Sequence, residues 1–266
     1  MLHQLLSWPR KNCQLVAAMT AREIAGRFRG SLAGLAWLLL TPLLALAIYH
    51  FVFTEIFKAR WATHASDDAP FALSLYTGLI VFTAFSEPVS RAPGLLAAHV
   101  NLVKRVVFPL EVLPMVAACS GGVIACLQAA PIIAALVIWK QTLAWTAILF
   151  PLMLLPVILL AFGVTAIISA FGAYLTDLSH LTGILLTAAM FLSPVFYPVE
   201  AVPESVRWLY QLNPLTASIE NARAVLLDGV PPPFLGYLRG LATGLLAVVI
   251  GAAVFVWLKP GFADVL

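Results

Sequence analysis

Six apolar runs, over residues 32–53, 71–89, 112–138, 143–170, 178–196 and 236–258, leave this chain few ways to fold. Each is near the roughly 20 residues that a helix needs to cross the hydrocarbon core of a bilayer. The runs are continuous, whereas strands of a membrane barrel alternate apolar and polar residues over about ten positions. A helix in lipid also satisfies its own backbone hydrogen bonds. The predicted fold class is therefore all-α: an integral membrane protein with six transmembrane helices in a single domain covering residues 1–266. The second run is expected to end early, at Glu87 and Pro88, and the fourth carries Pro151 and Pro156.

Composition closes the soluble alternative. Hydrophobic residues make up 62% of the 266 and charged ones 10%, against roughly 45–50% and about 25% in a soluble domain. Six spans consume the length, so a sizeable soluble domain or a nucleic-acid-binding module does not fit. Arg10, Lys11 and Asn12 interrupt any signal-peptide core, and the first run is expected to insert uncleaved.

Orientation follows from the basic residues of the loops. With a cytoplasmic N-terminus, Arg10, Lys11, Arg22, Arg27, Arg29, Arg91, Lys104, Arg105 and Lys259 lie inside. Lys58, Arg60, Lys140, Arg207, Arg223 and Arg239 then lie outside, among most of the carboxylates. Both termini are expected to be cytoplasmic. Residues 12–30 read as an amphipathic helix along the inner surface, with Ala17, Ala21, Ile24 and Phe28 on one stripe and Arg22 and Arg29 opposite. Residues 91–111 form an inner loop with a short helical stretch. Residues 197–235 hold two short helix-like pieces, about 204–212 and 216–227, separated by Asn213-Pro214 and closed by Gly229 and three prolines. They are too short to span and too apolar for a solvated loop, so a re-entrant hairpin in the outer face is expected.

Missing chemistry narrows the function. None of the five lysines follows a glycine, which excludes a G-x-x-x-x-G-K-[ST] phosphate loop. The spans carry almost no ionisable groups beyond Glu87 and His50, where ion-driven carriers place such groups in mid-membrane. A protein powered by another chain is the expected class. Cys13, Cys119 and Cys126 have no metal-ligand spacing and read as plain thiols. Asp177 and His180 share a helix face, but no nucleophile or second carboxylate accompanies them, and they read as a polar inner loop. Gly121 and Gly122, with Ala117 and Ala125, read as a close helix-packing site.

Three blocks of residues resemble a known family. The first is Arg22-Glu23-Ile24, Arg27-Phe28-Arg29-Gly30-Ser31, Leu35-Ala36-Trp37, Pro42 and Tyr49-His50-Phe51-Val52-Phe53 ahead of Ile56-Phe57. The second runs from Asn101 through Lys104-Arg105 and Phe108-Pro109 to Glu111 and Pro114. The third is Ser193-Pro194-Val195-Phe196-Tyr197, followed by Asn213-Pro214, Arg223 and Gly229. Together they resemble the permease subunits of bacterial polysaccharide exporters of the type-2 ABC family, which move lipid-linked O-antigen, capsule or teichoic-acid chains. One departure is Thr176-Asp177, where the family commonly has Arg-Asp. The resemblance implies a homodimer in the bacterial inner membrane, paired with two ATP-binding subunits that carry the ATP and magnesium. It implies no cofactor on this chain, and a channel at the dimer interface.

Within that frame the residues take expected roles, each beside a plainer one. Arg22, Arg27 and Arg29, with Gly30 as the bend, form either anchors for anionic headgroups or the entrance for a phosphate-linked lipid. Asn101, Lys104, Arg105, Phe108, Pro109 and Glu111 form either an ordinary loop or the knob that seats in the ATPase. Glu87 reaches either interfacial water or that same partner. Tyr49, Phe53, Phe57 and Trp61 recur every four residues, as an aromatic belt or as platforms for sliding sugars. Ser193, Pro194, Tyr197, Asn213 and Pro214 belong to a packed loop or to a periplasmic gate. The expected cargo is O-antigen. Capsular polysaccharide and teichoic acid are alternatives, and drug or small-lipid efflux or a membrane-embedded glycolipid enzyme are more distant ones.

Overall fold

The structure is a computed structural model that describes residues 2–27, 34–56, 71–104, 108–140 and 144–265. Arg29, Gly30, Phe57, Trp61 and Arg105 lie outside the described residues. Those described are mostly helical, with no strand among them. In chain order come α1 (Leu2–Arg27), α2 (Trp37–His50), α3 (Phe71–Arg91), a short α4 (Val100–Val103), α5 (Val112–Gln128) and α6 (Ala130–Lys140). They are followed by a short α7 (Phe150–Met153), α8 (Leu155–Gly172), α9 (Leu178–Phe191), α10 (Glu204–Leu212), α11 (Pro214–Arg223), α12 (Phe234–Leu258) and a short α13 (Phe262–Val265).

Among the described residues, four segments are long and apolar enough to cross a membrane: Phe71–Gly94, Val112–Ile138, Trp145–Gly172 and Phe234–Gly261. Leu40–His50 and Leu178–Phe191 are apolar but shorter. The first of these belongs to a longer helical stretch, since α2 continues through a π-turn over Phe51–Ile56. The last expected span but one stops at Phe191 instead of Phe196, giving α9 14 residues. At about 1.5 Å per residue that is roughly 21 Å, against a core about 30 Å thick. The second run, by contrast, is not cut short: α3 continues through Glu87 and Pro88 to Arg91. Pro151 and Pro156 sit in the first turns of α7 and α8, where a missing N–H costs nothing.

The main core gathers around α3, α5, α8 and α11, with Tyr76, Ile80, Phe85, Ile132, Leu154 and Ile219 buried in it. Small residues hold the helices together. The expected close contact at Gly121 and Gly122 is present: an added Cβ at Gly121 would lie 3.0 Å from the Ala84 carbonyl oxygen, and one at Gly122 2.4 Å from Ile158. A tighter contact joins α8 to α12, where a Cβ on Gly163 would fall 2.3 Å from the Ala247 backbone. α12 buries Gly240, Gly244, Gly251 and Phe255 while exposing Leu245, Leu246, Val249 and Ile250. Small residues inside and large apolar ones outside is the reverse of a soluble protein. It is what lipid favours, since hydrocarbon is as good a solvent for leucine as another helix.

Two expectations about non-spanning pieces change. α1 packs along α5, but not by the Ala17–Ala21 stripe, since both alanines are exposed. Val16 and Thr20 are the buried positions, with Leu15, Met19, Glu23, Ile24 and Arg27 half-buried beside them. Val16 meets Val112 and Val116 of α5. The two short helices of the 197–235 segment form at the expected places but are unalike. α10 buries only Tyr210, whereas α11 buries Leu215, Thr216, Ser218, Ile219, Asn221, Ala222 and Arg223.

Candidate functional site

Most of the described ion pairs gather at the two ends of α3. At its C-terminal end, Glu87 and Arg91 stand one turn apart and face Glu23 and Arg27, one turn apart on α1. Arg27 reaches Glu87 at 2.8 Å and Glu23 at 3.2 Å. Arg91 pairs with Glu87 at 3.0 Å and also with Glu23. Ser120 of α5 donates to Glu23 at 3.1 Å. Two carboxylates and two guanidiniums thus cancel one another and tie α1, α3 and α5 together. Burial alone would push the Glu23 carboxyl up, but the hydrogen bonds and charges of Arg91 and Arg27 outweigh it and hold it below the usual range. Glu87 is thus paired with Arg27 and Arg91 inside the chain while staying partly exposed. Arg27 is committed to the same cluster.

Arg22 is exposed and lies apart from those pairs, on the wall of a cavity of about 480 Å³ between α1, the end of α3 and the start of α5. Glu23, Arg91, His99 and Leu102 share that wall. His99 engages the Leu95 carbonyl through Nδ1 at 2.9 Å. The expected loop begins along this cavity as two 3-10 turns and α4, with Asn101 and Lys104 exposed. Phe108 and Pro109 are half-buried, Phe108 against the core formed by Leu96, Val103 and Phe255. Glu111 pairs with Lys259 at 2.7 Å, which ties the end of this loop to the end of α12.

At the other end of α3, the 193–228 segment is pinned by polar contacts. Asn213 caps α11 by accepting from the Leu215 N–H at 2.9 Å, and Pro214 occupies the first turn. Its amide donates to the Leu192 carbonyl and to Ser193 Oγ, both at 2.9 Å. Ser193 is buried and donates to the Ala189 carbonyl at 2.7 Å. The Tyr197 and Tyr210 hydroxyls lie 2.6 Å apart, and Tyr197 also donates to the Phe191 carbonyl. Ser193, Tyr197 and Asn213 are therefore joined by hydrogen bonds at the end of α9, Pro194 is buried and Pro214 half-buried. Gly229, at φ +69°, closes the π-turn that follows α11. Arg223 is 0% exposed, although its charge placed it in an outer loop. Its signal in the sequence was Glu220 three residues before it. The inner cluster was signalled likewise, by Glu23 and Arg27 and by Glu87 and Arg91 at i, i+4.

Of the aromatic stripe, Tyr49 is half-buried and packs against the main core. α2 at Phe53 is helical, and Phe57 and Trp61 are outside the described residues. A surface not expected from the sequence lies on α9. Thr182 is the one buried residue of that helix, and its open side forms a shallow concavity of about 610 Å³. Ser179, His180, Gly183 and Thr187 line it beside Ile184, Ala188 and Phe191. No group of His, Cys, Asp and Glu among the described residues is arranged to hold a metal ion.

Apolar spanning helices, charges paired within the bundle and a shallow, mostly apolar concavity on α9 describe a multi-pass membrane protein. The chain belongs to the ABC-2 type transporter family, which it matches over residues 14–227. It is similar to an O-antigen export system permease protein of Klebsiella pneumoniae, 25% identical over 255 residues that cover 95% of both chains. A Myxococcus xanthus protein of the same description is 26% identical over 91% of this chain and 88% of its own. A polysialic acid transport protein of Escherichia coli is 27% identical over 80% of this chain and 81% of its own.

Proposed function

We propose that this chain is the channel-forming permease of an ATP-driven exporter that moves a lipid-linked polysaccharide, O-antigen, across the bacterial inner membrane. It works as a homodimer with two ATP-binding subunits and has both termini in the cytoplasm. Six spans are completed by α2 and α9. The observation that carries the channel is the open face of α9. That face is concave, exposed and mostly apolar, broken by His180 and by the Ser179 and Thr187 hydroxyls, which bond backbone carbonyls of their own segment, and a second copy seated against it with the passage between is the neighbour this reading supplies. O-antigen is preferred to capsule because the likeness to the O-antigen permeases runs over 91–95% of the chain, against 80% for the polysialic acid protein.

In this reading α1 lies at the inner surface, and Arg22, beside the cavity it shares with Arg91, receives the phosphate of the lipid carrier. Arg29 and Gly30 continue that entrance. Lys104 and Arg105, with Asn101, Phe108, Pro109 and Glu111, meet the ATPase. The 193–228 hairpin closes the periplasmic end, and Tyr49, Phe53, Phe57 and Trp61 flank the polymer path. Cysteine at Gly183 or Thr187 should cross-link two copies in native membranes. Vesicles holding permease and ATP-binding subunit should translocate lipid-linked O-antigen only with ATP. Absence of the cross-link would remove the α9 seam, and uphill transport by the permease alone would overturn the proposed function.

A further inference from the structure

Arg223 is the largest fully buried side chain among the described residues, and none of the proposed roles gives it a task. It leaves the end of α11 and reaches across to two other elements. Its Nε donates to the Ser74 carbonyl of α3 at 3.0 Å, one terminal nitrogen donates to the Val195 carbonyl at 3.0 Å, and the other pairs with Glu220 at 2.8 Å. Gly78 of α3 makes room for it: a Cβ there would lie 2.9 Å from the guanidinium and 3.3 Å from the Val195 backbone. A rigid planar fork with five N–H donors serves a carbonyl on each of two chain segments and a carboxylate at once, in three separate directions. Lysine carries the charge but directs its donors from a single point.

We propose that Arg223 is the positioning residue that locks the 193–228 hairpin to the second span, so that hairpin and α3 move as one body. This rests on the proposed function, in which the hairpin closes the outer end. α3 carries the ionic cluster with α1 at its inner end, so a displacement of α3 from the cytoplasmic side is delivered to the hairpin through this fork.

The test compares R223K, which keeps the charge and loses the fork, with G78A, which keeps the arginine and pushes a methyl group against it. V157A, in the main core, serves as a control for lost stability, and deletion of residues 213–214 tests the hairpin as a barrier. Full-length permease in vesicles is read for amide exchange over residues 193–228 and for resting potassium leak. R223K and G78A should raise exchange roughly tenfold, about what one charge-assisted hydrogen bond is worth, and should leak several-fold more than the parent at equal folded yield. V157A should do neither at a matched loss in melting temperature. Should R223K fail to fold, G78A decides alone. Wild-type exchange in the folded variants, equal exchange in V157A, or tight vesicles beside a leaking tip deletion would each overturn the proposal. A tight tip deletion would sink the gate reading alone, and the exchange comparison then still decides whether Arg223 holds the hairpin to α3.

Discussion

Glu87 is a carboxylate near the end of an otherwise apolar helix, and its cost is offset by Arg27 at 2.8 Å and Arg91 at 3.0 Å. Removing its charge leaves both guanidiniums with Glu23 alone. E87Q should loosen α1 by about 1 kcal/mol, between the worth of an exposed pair and that of a fully buried one. The readout is amide exchange over residues 12–27, and unchanged protection would show that the apolar seam of Val16 with α5 suffices. Glu23 adds a dependence on pH with a definite sign. Its native pKa lies below the usual 4.5, so its contribution is complete above that value and disappears as pH falls through the lower native one. Exchange in α1, corrected for intrinsic rate, should stay flat from about pH 7 to 5 and rise below about pH 4.

Among the elements, α12 and α3 do different work. α12 is a packing helix: Gly244 and Gly251 let it lie against the α8 backbone, Gly240 sits on the Pro156 ring, and its leucines face outward. G163V should therefore lower stability by about 3 kcal/mol or more, because the nearest atoms belong to the Ala247 and Val248 backbone and cannot give way. L246A, on the exposed side of α12, should stay within about 0.5 kcal/mol. Thermal unfolding in detergent, followed by size-exclusion chromatography, separates the two, and equal effects would reverse the assignment of inner and outer faces. α3 is a connecting helix. It is buried along nearly its whole length and holds α1 by two charges at one end and the 193–228 segment by two contacts to Arg223 at the other.

At the scale of the whole molecule, the exposed surface divides into three kinds. Large apolar side chains on α12 suit lipid, the shallow concavity on α9 is the seam proposed for a second copy, and Asn101 and Lys104 lie on a loop whose C-terminal end is anchored by Phe108 and the Glu111–Lys259 pair. An anchored loop transmits a push where a loose one would absorb it. Replacing Lys104 and Arg105 together by Glu should abolish co-purification of the ATP-binding partner and leave the melting temperature unchanged. Retained co-purification would move the partner contact elsewhere.

Several features were legible from residue order alone: the all-helical membrane class, four long spans, the 204–212 helix, the Asn213-Pro214 junction and the packing site at Gly121 and Gly122. Each is a local property, written in the length of an apolar run, the chemistry of a cap or the spacing of small residues. The i, i+4 and i, i+3 charge pairs were equally visible, but not that two of them would interlock across α1 and α3, nor that Arg223 would leave the loop for the interior. Those outcomes depend on which helix lies against which. Lipid solvates leucine as well as a neighbouring helix does, so the apolar pattern along a span does not say which side faces inward. Tertiary packing decided that: it set Thr182 in and Thr187 out on α9, turned Val16 rather than Ala17 toward α5, and brought charges 64 positions apart in the chain, Glu23 and Glu87, to the same two arginines.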